Sequence, residues 1–113
     1  NEIYINPLEK KLVPCGFALA LPKNFEAQVR PRSGLALKSM ITILNSPGTI
    51  DSDYRGEVCA ILINYGTKRF HIEPKMRIAQ IIFSKIPDFE IIEVNELNQT
   101  SRGEGGFGST GLK

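Results

Sequence analysis

Proline and glycine cut this chain into pieces too short for anything but strands. Residues 3–5, 12–13, 17–21 and 25–29 are β-rich runs separated by Pro7, Pro14, Gly16 and Pro22. Proline has no N–H to give a ladder and glycine weakens a strand interior, so no long helix or long central strand runs through this punctuation. Glu26, Gln28 and Arg30 alternate with Phe25, Ala27 and Val29, the period of a strand with one wet face. Residues 41–44, 57–64, 70–72, 77–84 and 89–94 continue the pattern, with a turn at Tyr65-Gly66-Thr67, while residues 33–40 alone read as a short helix. Many short strands with turn-marked spacing predict an all-β domain, a sandwich or barrel, of which a jelly roll is one member. There is no internal repeat.

At 113 residues the chain fits one domain with a core, and no second. A charged fraction of 23% with net charge +2 includes no like-charge block, so a nucleic-acid partner is not expected and a small ligand is. No apolar run reaches membrane-spanning length and the start lacks a basic-then-apolar leader, so the chain reads as soluble, with no membrane partner. Cys15 and Cys59 lie far apart without zinc-site spacing, each among apolar residues. They are expected to be reduced and buried, hence intracellular. Asn1, not Met, opens the sequence and a strand pattern begins at once, so the natural chain is expected to begin earlier.

Polar chemistry concentrates at Gly48-Thr49-Ile50-Asp51-Ser52-Asp53-Tyr54-Arg55-Gly56-Glu57-Val58. Apolar residues lead in (Ile41, Ile43, Leu44) and out (Val58, Ala60, Leu62), so the segment reads as a hairpin holding its acids at a rigid tip. Turn acids bonding nearby amides would account for Asp51 and Asp53. They do not account for Tyr54 ahead of Arg55-Gly56, nor for a second polar cassette at Arg32-Ser33-Gly34. Beyond Asn95 the composition changes, and from Asn98 to Gly111 it is glycine- and hydroxyl-rich with Phe107 as the one large apolar residue of that stretch. Such a tail is ordinarily disordered. One aromatic face, Arg102 and accessible amides are also the parts needed to close over a base and its phosphates.

Arg32-Ser33-Gly34-Leu35-Ala36, residues 48–56, Arg77-Ile78-Ala79-Gln80 and residues 102–111 together resemble four of the five ordered motifs of the trimeric dUTPase family. The resemblance implies a distorted jelly roll, a homotrimer with sites shared between subunits, dUTP as substrate, Mg²⁺ as cofactor and a cytoplasmic location. The implied activity yields dUMP and pyrophosphate, limiting uracil in DNA and supplying dUMP for dTMP synthesis. The domain is then a core over residues 1–97 and an arm over 98–113 that closes on the site. By this resemblance Asp51 positions the attacking water, and Tyr54 lies under the deoxyribose and leaves no room for a 2′-hydroxyl. Asn45 and Gly48 match the base-recognising loop, and Arg32, Ser33 and Gly34 the phosphate-binding turn. Gln80 is the neutral phosphate contact, Phe107 the base-stacking ring, and Arg102, Gly108, Ser109 and Thr110 the arm's phosphate contacts. No protein side chain is assigned directly to the Mg²⁺, which rides on the substrate phosphates.

Several residues have plainer uses. Gln80 could be a satisfied core amide, Arg77 suits a structural salt bridge, and His71 suits a strand edge and receives no role. Two features depart from the family. No counterpart of its first motif, an Ala-Gly-Tyr-Asp-Leu type segment, occurs in residues 1–30, and Met76 stands where an acidic or polar residue is usual, an exchange expected to alter turn polarity only. A dCTP deaminase of the same architecture is the nearest alternative, countered by Leu35-Ala36 and the glycine-rich tail. A non-catalytic jelly roll is a more distant one, countered by an intact Asp51 and tail.

Overall fold

The computed structural model describes residues 2–108, 110 and 111. Its elements are β1 (Ile3–Ile5), β2 (Lys10–Ala18), β3 (Phe25–Arg30), α1 (Ser33–Ser39), β4 (Ile41–Ile43), β5 (Gly48–Ile50), β6 (Glu57–Asn64), β7 (Phe70–Ile72) and β8 (Gln80–Lys85). Among the described residues the strands form three antiparallel sheets, ordered β1-β7, β2-β6-β4 and β5-β3-β8, and none closes into a barrel.

The core is built from alternate residues of these strands. Ala27 and Val29 of β3, Ile41 and Ile43 of β4, and Val58, Ala60 and Leu62 of β6 are buried together with Ile5, Val13, Ile50 and Ile72. Their spacing of two puts each set on one face of its sheet, which is why short alternating runs suffice. Asn64 is the one buried polar side chain among the described residues. Its Nδ2 donates to the carbonyls of Ile5 (2.9 Å) and Lys68 (2.8 Å), and its Oδ1 accepts from the Gly66 N–H (2.8 Å). One amide thereby ties β1 and the turn after β6 to the core.

Several elements differ from expectation. Residues 12–13 and 17–21 were separate runs in the pattern, yet β2 passes through Pro14 and Gly16 as one strand. It can do so because β2 is an edge of its sheet, where a missing N–H costs no ladder bond. The register shifts between Pro14 and Ala18, with Gly16 at φ 85°, a bulge that glycine accommodates. The hairpin arms are real, since Ile43 pairs with Leu62 and Ile41 with Asn64. Its tip is not a simple turn, because β5 leaves this sheet and pairs with β3. Residues 89–94 form no strand; beyond Lys85 the described residues carry neither strand nor helix, and Phe89, Ile91, Ile92 and Leu97 are exposed. Within one chain the 89–94 run finds no neighbouring strand to bond. Met76 packs against the core, so it contributes burial and not merely turn polarity. The two cysteines are free and half-buried, not buried.

Candidate active site

The polar tip is held between two sheets. β5 is anchored on β3 through the pairs Ala27–Ile50, Gln28–Thr49 and Val29–Gly48, and β6 begins at Glu57 in the other sheet. Between them Tyr54 N–H donates to the Asp51 carbonyl (3.2 Å), closing a turn that leaves the Asp51 and Tyr54 side chains exposed. The Tyr54 hydroxyl donates to the Glu57 carbonyl (2.9 Å), and Arg55 Nη1 donates to the Ser52 carbonyl (2.6 Å). The arginine thus braces the turn rather than facing a ligand.

A cavity of about 200 Å³ lies beside this turn, and its walls include Asn45, Gly48, Asp51 and Tyr54 together with Val29, Ile43, Thr49 and Ile50. Four residues expected to handle base, sugar and water therefore meet at one place. The apolar wall comes from β3, β4, β5 and β6, and the polar groups from the β4–β5 loop (Asn45) and the β5–β6 loop (Asp51, Tyr54). Gly48 is buried, and a methyl group there would sit 3.5 Å from Asn45 Nδ2 and 3.4 Å from Val29 Cβ. These are ordinary contact distances, so the Gly48 backbone packs closely beside the asparagine amide.

The phosphate-side residues lie elsewhere. Arg32 and Gln80 line a second cavity of about 880 Å³, which shares only Val29 and Val58 with the first. Arg32 Nη1 donates to the Arg77 carbonyl (2.9 Å), and Gln80 Nε2 donates to the Pro31 carbonyl (2.9 Å). These bonds join the start of α1 to the strand carrying Gln80. Gln80 is exposed, not a core amide, and its Oε1 is left for another donor. Arg77 makes no salt bridge among the described residues; it serves Arg32 through its backbone. At α1 the N-cap Arg32 supplies no side-chain cap and the first turn holds no acid, so the N–H groups of Ser33, Gly34 and Leu35 face outward without an internal acceptor. A methyl group on Gly34 would meet nothing within 4 Å, so this turn is open to an incoming group.

The arm stands apart from both cavities. Phe107 is fully exposed at φ 49°, and Gly108 has φ 91°. Arg102 Nε donates to the Gly105 carbonyl (2.6 Å), folding the arm on itself, and Thr110 is exposed. Ser109 lies outside the described residues. Glu57 was not anticipated as a site residue: it lines the first cavity, its carbonyl holds Tyr54, and its carboxylate accepts from the Gly16 N–H (2.9 Å). The only signal in the sequence is an acid opening an apolar strand.

His71 stacks on Tyr4 at 4.4 Å, with Arg69 over the other ring at 4.1 Å, and lies 3.6 Å from Glu2 and 3.9 Å from Glu73. The Tyr4 hydroxyl donates to Glu2, which raises the tyrosine's pKa. This cluster fastens β1 to β7; Glu73 borders the second cavity, but His71, Tyr4, Arg69 and Glu2 line neither, in keeping with a strand-edge histidine.

The model of the dUTPase family matches residues 1–111. The chain belongs to the dUTPase family. The deoxyuridine 5′-triphosphate nucleotidohydrolase of Rickettsia akari is 60% identical over 112 residues, covering 99% of this chain and 76% of that protein. That of Gloeothece citriformis is 54% identical, covering 99% and 77%. Among solved structures, the dUTPase of Staphylococcus bacteriophage 80alpha with dUPNHPP superposes with a TM-score of 0.88 at 25% identity, over 99% of this chain and 82% of that one. The dUTPase of phage phi11 of S. aureus, studied for the coordination of a structural Mg(II) ion, gives 0.76 at 19% identity, over 84% and 78%. With family membership come the jelly-roll fold and the activity, hydrolysis of dUTP by a dUTP diphosphatase.

Proposed function

We propose that dUTP is cleaved to dUMP and pyrophosphate with Asp51 orienting the attacking water and Tyr54 lying under the deoxyribose. The observation that supports this is the single cavity that gathers Asn45, Gly48, Asp51 and Tyr54. The uracil edge is met by the Asn45 amide and by backbone at Gly48, and Val29, Ile43 and Ile50, which line the same cavity, form the wall that would exclude a 5-methyl group. Water attacks a phosphorus of the triphosphate, the bond between the α-phosphate and the pyrophosphate breaks, and Asp51 takes up the water's proton. Positioned amides and cations disperse the charge that develops. Arg32, Ser33, Gly34 and Gln80 bind phosphate oxygens, with the outward N–H groups of α1 matched to anionic ligands. The expected consequences are less uracil in DNA and a supply of dUMP.

Among the described residues no cluster of three His, Cys, Asp or Glu can hold a metal. A Mg²⁺ that rides on the triphosphate would keep waters and phosphate oxygens as ligands and would ask of the chain only groups that hold the phosphates. Arg32, Ser33, Gly34 and Gln80 would hold the phosphates that carry it. Bound there, the ion would neutralise phosphate charge.

A homotrimer with shared sites is supported by how one chain scatters the parts. Asp51 and Tyr54 line one cavity, Arg32 and Gln80 another, and Phe107 touches neither, so a neighbour's residues are needed to complete each site. The radius of gyration is 19.0 Å, against about 13 Å for a compact chain of this length. Leu12 (66% exposed), Leu37 (85%) and Ile91 (91%) add apolar surface that assembly would cover. One subunit then contributes Asp51 and Tyr54, a second Arg32 to Gly34, and a third the arm from residue 98 onward, where Arg102, Gly108, Ser109 and Thr110 reach phosphates and Phe107 stacks on the base. Two free cysteines and a nucleotide substrate favour a cytoplasmic location.

The test is Asp51→Asn. Turnover should fall roughly a hundredfold or more while binding of an imido-bridged dUTP analogue and the melting temperature stay nearly unchanged. Unchanged turnover would remove Asp51 from the mechanism.

A further inference from the structure

Gly56 sits two residues beyond Tyr54 and does not itself line the first cavity, though Tyr54 and Glu57 both do. A methyl group on Gly56 would lie 2.6 Å from Tyr54 Cζ and 3.0 Å from Cε1, and closer still to the hydroxyl oxygen. The phenol ring therefore lies directly against the Gly56 backbone, with another part of its surface facing the cavity. The same hydroxyl is fixed by its bond to the Glu57 carbonyl (2.9 Å). Two neighbouring backbone units hold the ring: one by being bare, the other by accepting a hydrogen bond.

The backbone of Gly56 does not require glycine, because its φ lies outside the left-handed region. Alanine could adopt this conformation, and the three atoms nearest to its methyl group would all belong to the tyrosine side chain. Ordinary carbon–carbon contact begins at ~3.5 Å, so a Cβ at residue 56 would drive the ring about 1 Å toward the cavity or break its bond to Glu57.

We propose that Gly56 is a positioning residue for sugar selection: its bare backbone, with the Glu57 carbonyl, sets the plane of the Tyr54 ring on which the deoxyribose rests. The inference rests on the assignment of Tyr54 to the sugar. UTP is already excluded by a well-placed ring, so displacing the ring harms dUTP more than UTP. The sugar lies away from the bond that breaks, so the loss falls mainly on KM and less on kcat.

The experiment compares Gly56→Ala, Tyr54→Ala, the double variant and Tyr54→Phe as full chains, each checked by melting, with kcat and KM for dUTP and UTP. Gly56→Ala should lower kcat/KM for dUTP roughly tenfold, mostly through KM, and shrink the dUTP-to-UTP ratio. In the Tyr54→Ala background the same substitution should do almost nothing, the non-additivity expected of two groups in contact. Tyr54→Phe, which keeps the ring and removes its bond to Glu57, should shrink the ratio in the same direction by a smaller factor; it tests the placement even if Gly56→Ala fails to fold. An equal loss from Gly56→Ala in both backgrounds would overturn the proposal in favour of a backbone role. A ratio unmoved by both Gly56→Ala and Tyr54→Phe but moved by Tyr54→Ala would overturn it and leave the sugar assignment standing. A ratio unmoved by Tyr54→Ala would overturn that assignment, and this inference with it.

Discussion

Asn64→Leu replaces the amide that ties β1 and the 65–68 turn to the core with an apolar group of similar size. Three hydrogen bonds disappear, and the released groups differ in their access to water. The Ile5 carbonyl belongs to a fully buried residue and is stranded, Gly66 is half-buried, and Lys68 is exposed, so its carbonyl can turn to solvent. At ~2 kcal/mol for the stranded carbonyl, ~1 for the Gly66 N–H and a few tenths for Lys68, the total loss is about 3 kcal/mol. For a chain of this length that corresponds to roughly 12 °C in melting temperature. Circular dichroism melting at matched chain concentration measures it, because assembly would make the midpoint concentration-dependent. Asn64→Asp, which keeps an acceptor for Gly66 but loses both donations and buries a charge, should lose at least as much near neutral pH. A drop below about 4 °C for the leucine variant would show that this amide does not organise the turn.

Three further outcomes are expected. A chain ending at Asn98 should melt as the full chain does yet hydrolyse dUTP very slowly, since the arm has no core role; unchanged turnover would make it a disordered appendage. Mixing Asp51→Asn subunits with subunits lacking the arm should restore part of the activity after exchange, and no recovery would mean that each chain builds its own site. Burial raises the Cys15 thiol above its ordinary range, with Cys59 and Glu57 adding to the effect and the Ala60 backbone opposing it. The neutral thiol is then the form that suits the folded chain. Its contribution is complete below the ordinary thiol pKa, near pH 8.5, and is lost as pH rises through the raised value. Cys15→Ala should therefore flatten the fall in urea midpoint on the alkaline side, and an unchanged slope would sink the argument.

The extent to which the site could be read in advance follows from where its parts reside along the chain. Asn45, Gly48, Asp51 and Tyr54 lie within ten residues, and a tight turn brings such neighbours to one cavity whatever surrounds them. Glu57 and Gly56 were less visible, because what they do is done by backbone: a carbonyl that accepts from Tyr54 and a missing Cβ beneath its ring. Residue identity says nothing about a carbonyl, and a glycine beside a turn has commoner explanations. Residues 89–94 misled for the opposite reason, being a strand pattern with no strand beside it in the single chain.

By itself the sequence determined the all-β class, most strand positions and the short helix, because alternation of period two and proline–glycine punctuation are local properties that no tertiary contact needs to supply; the family was legible separately, through the resemblance carried by four ordered motifs. Only the tertiary structure decided that β5 departs to the second sheet, that β2 runs through Pro14 because it is an edge, and that Asn64 is the buried tie between β1 and the 65–68 turn. It also decided that Asp51 and Arg32 open onto different cavities. Strand pairing and cavity walls join residues tens of positions apart, and which of many chemically similar partners meet depends on the packing of the whole core.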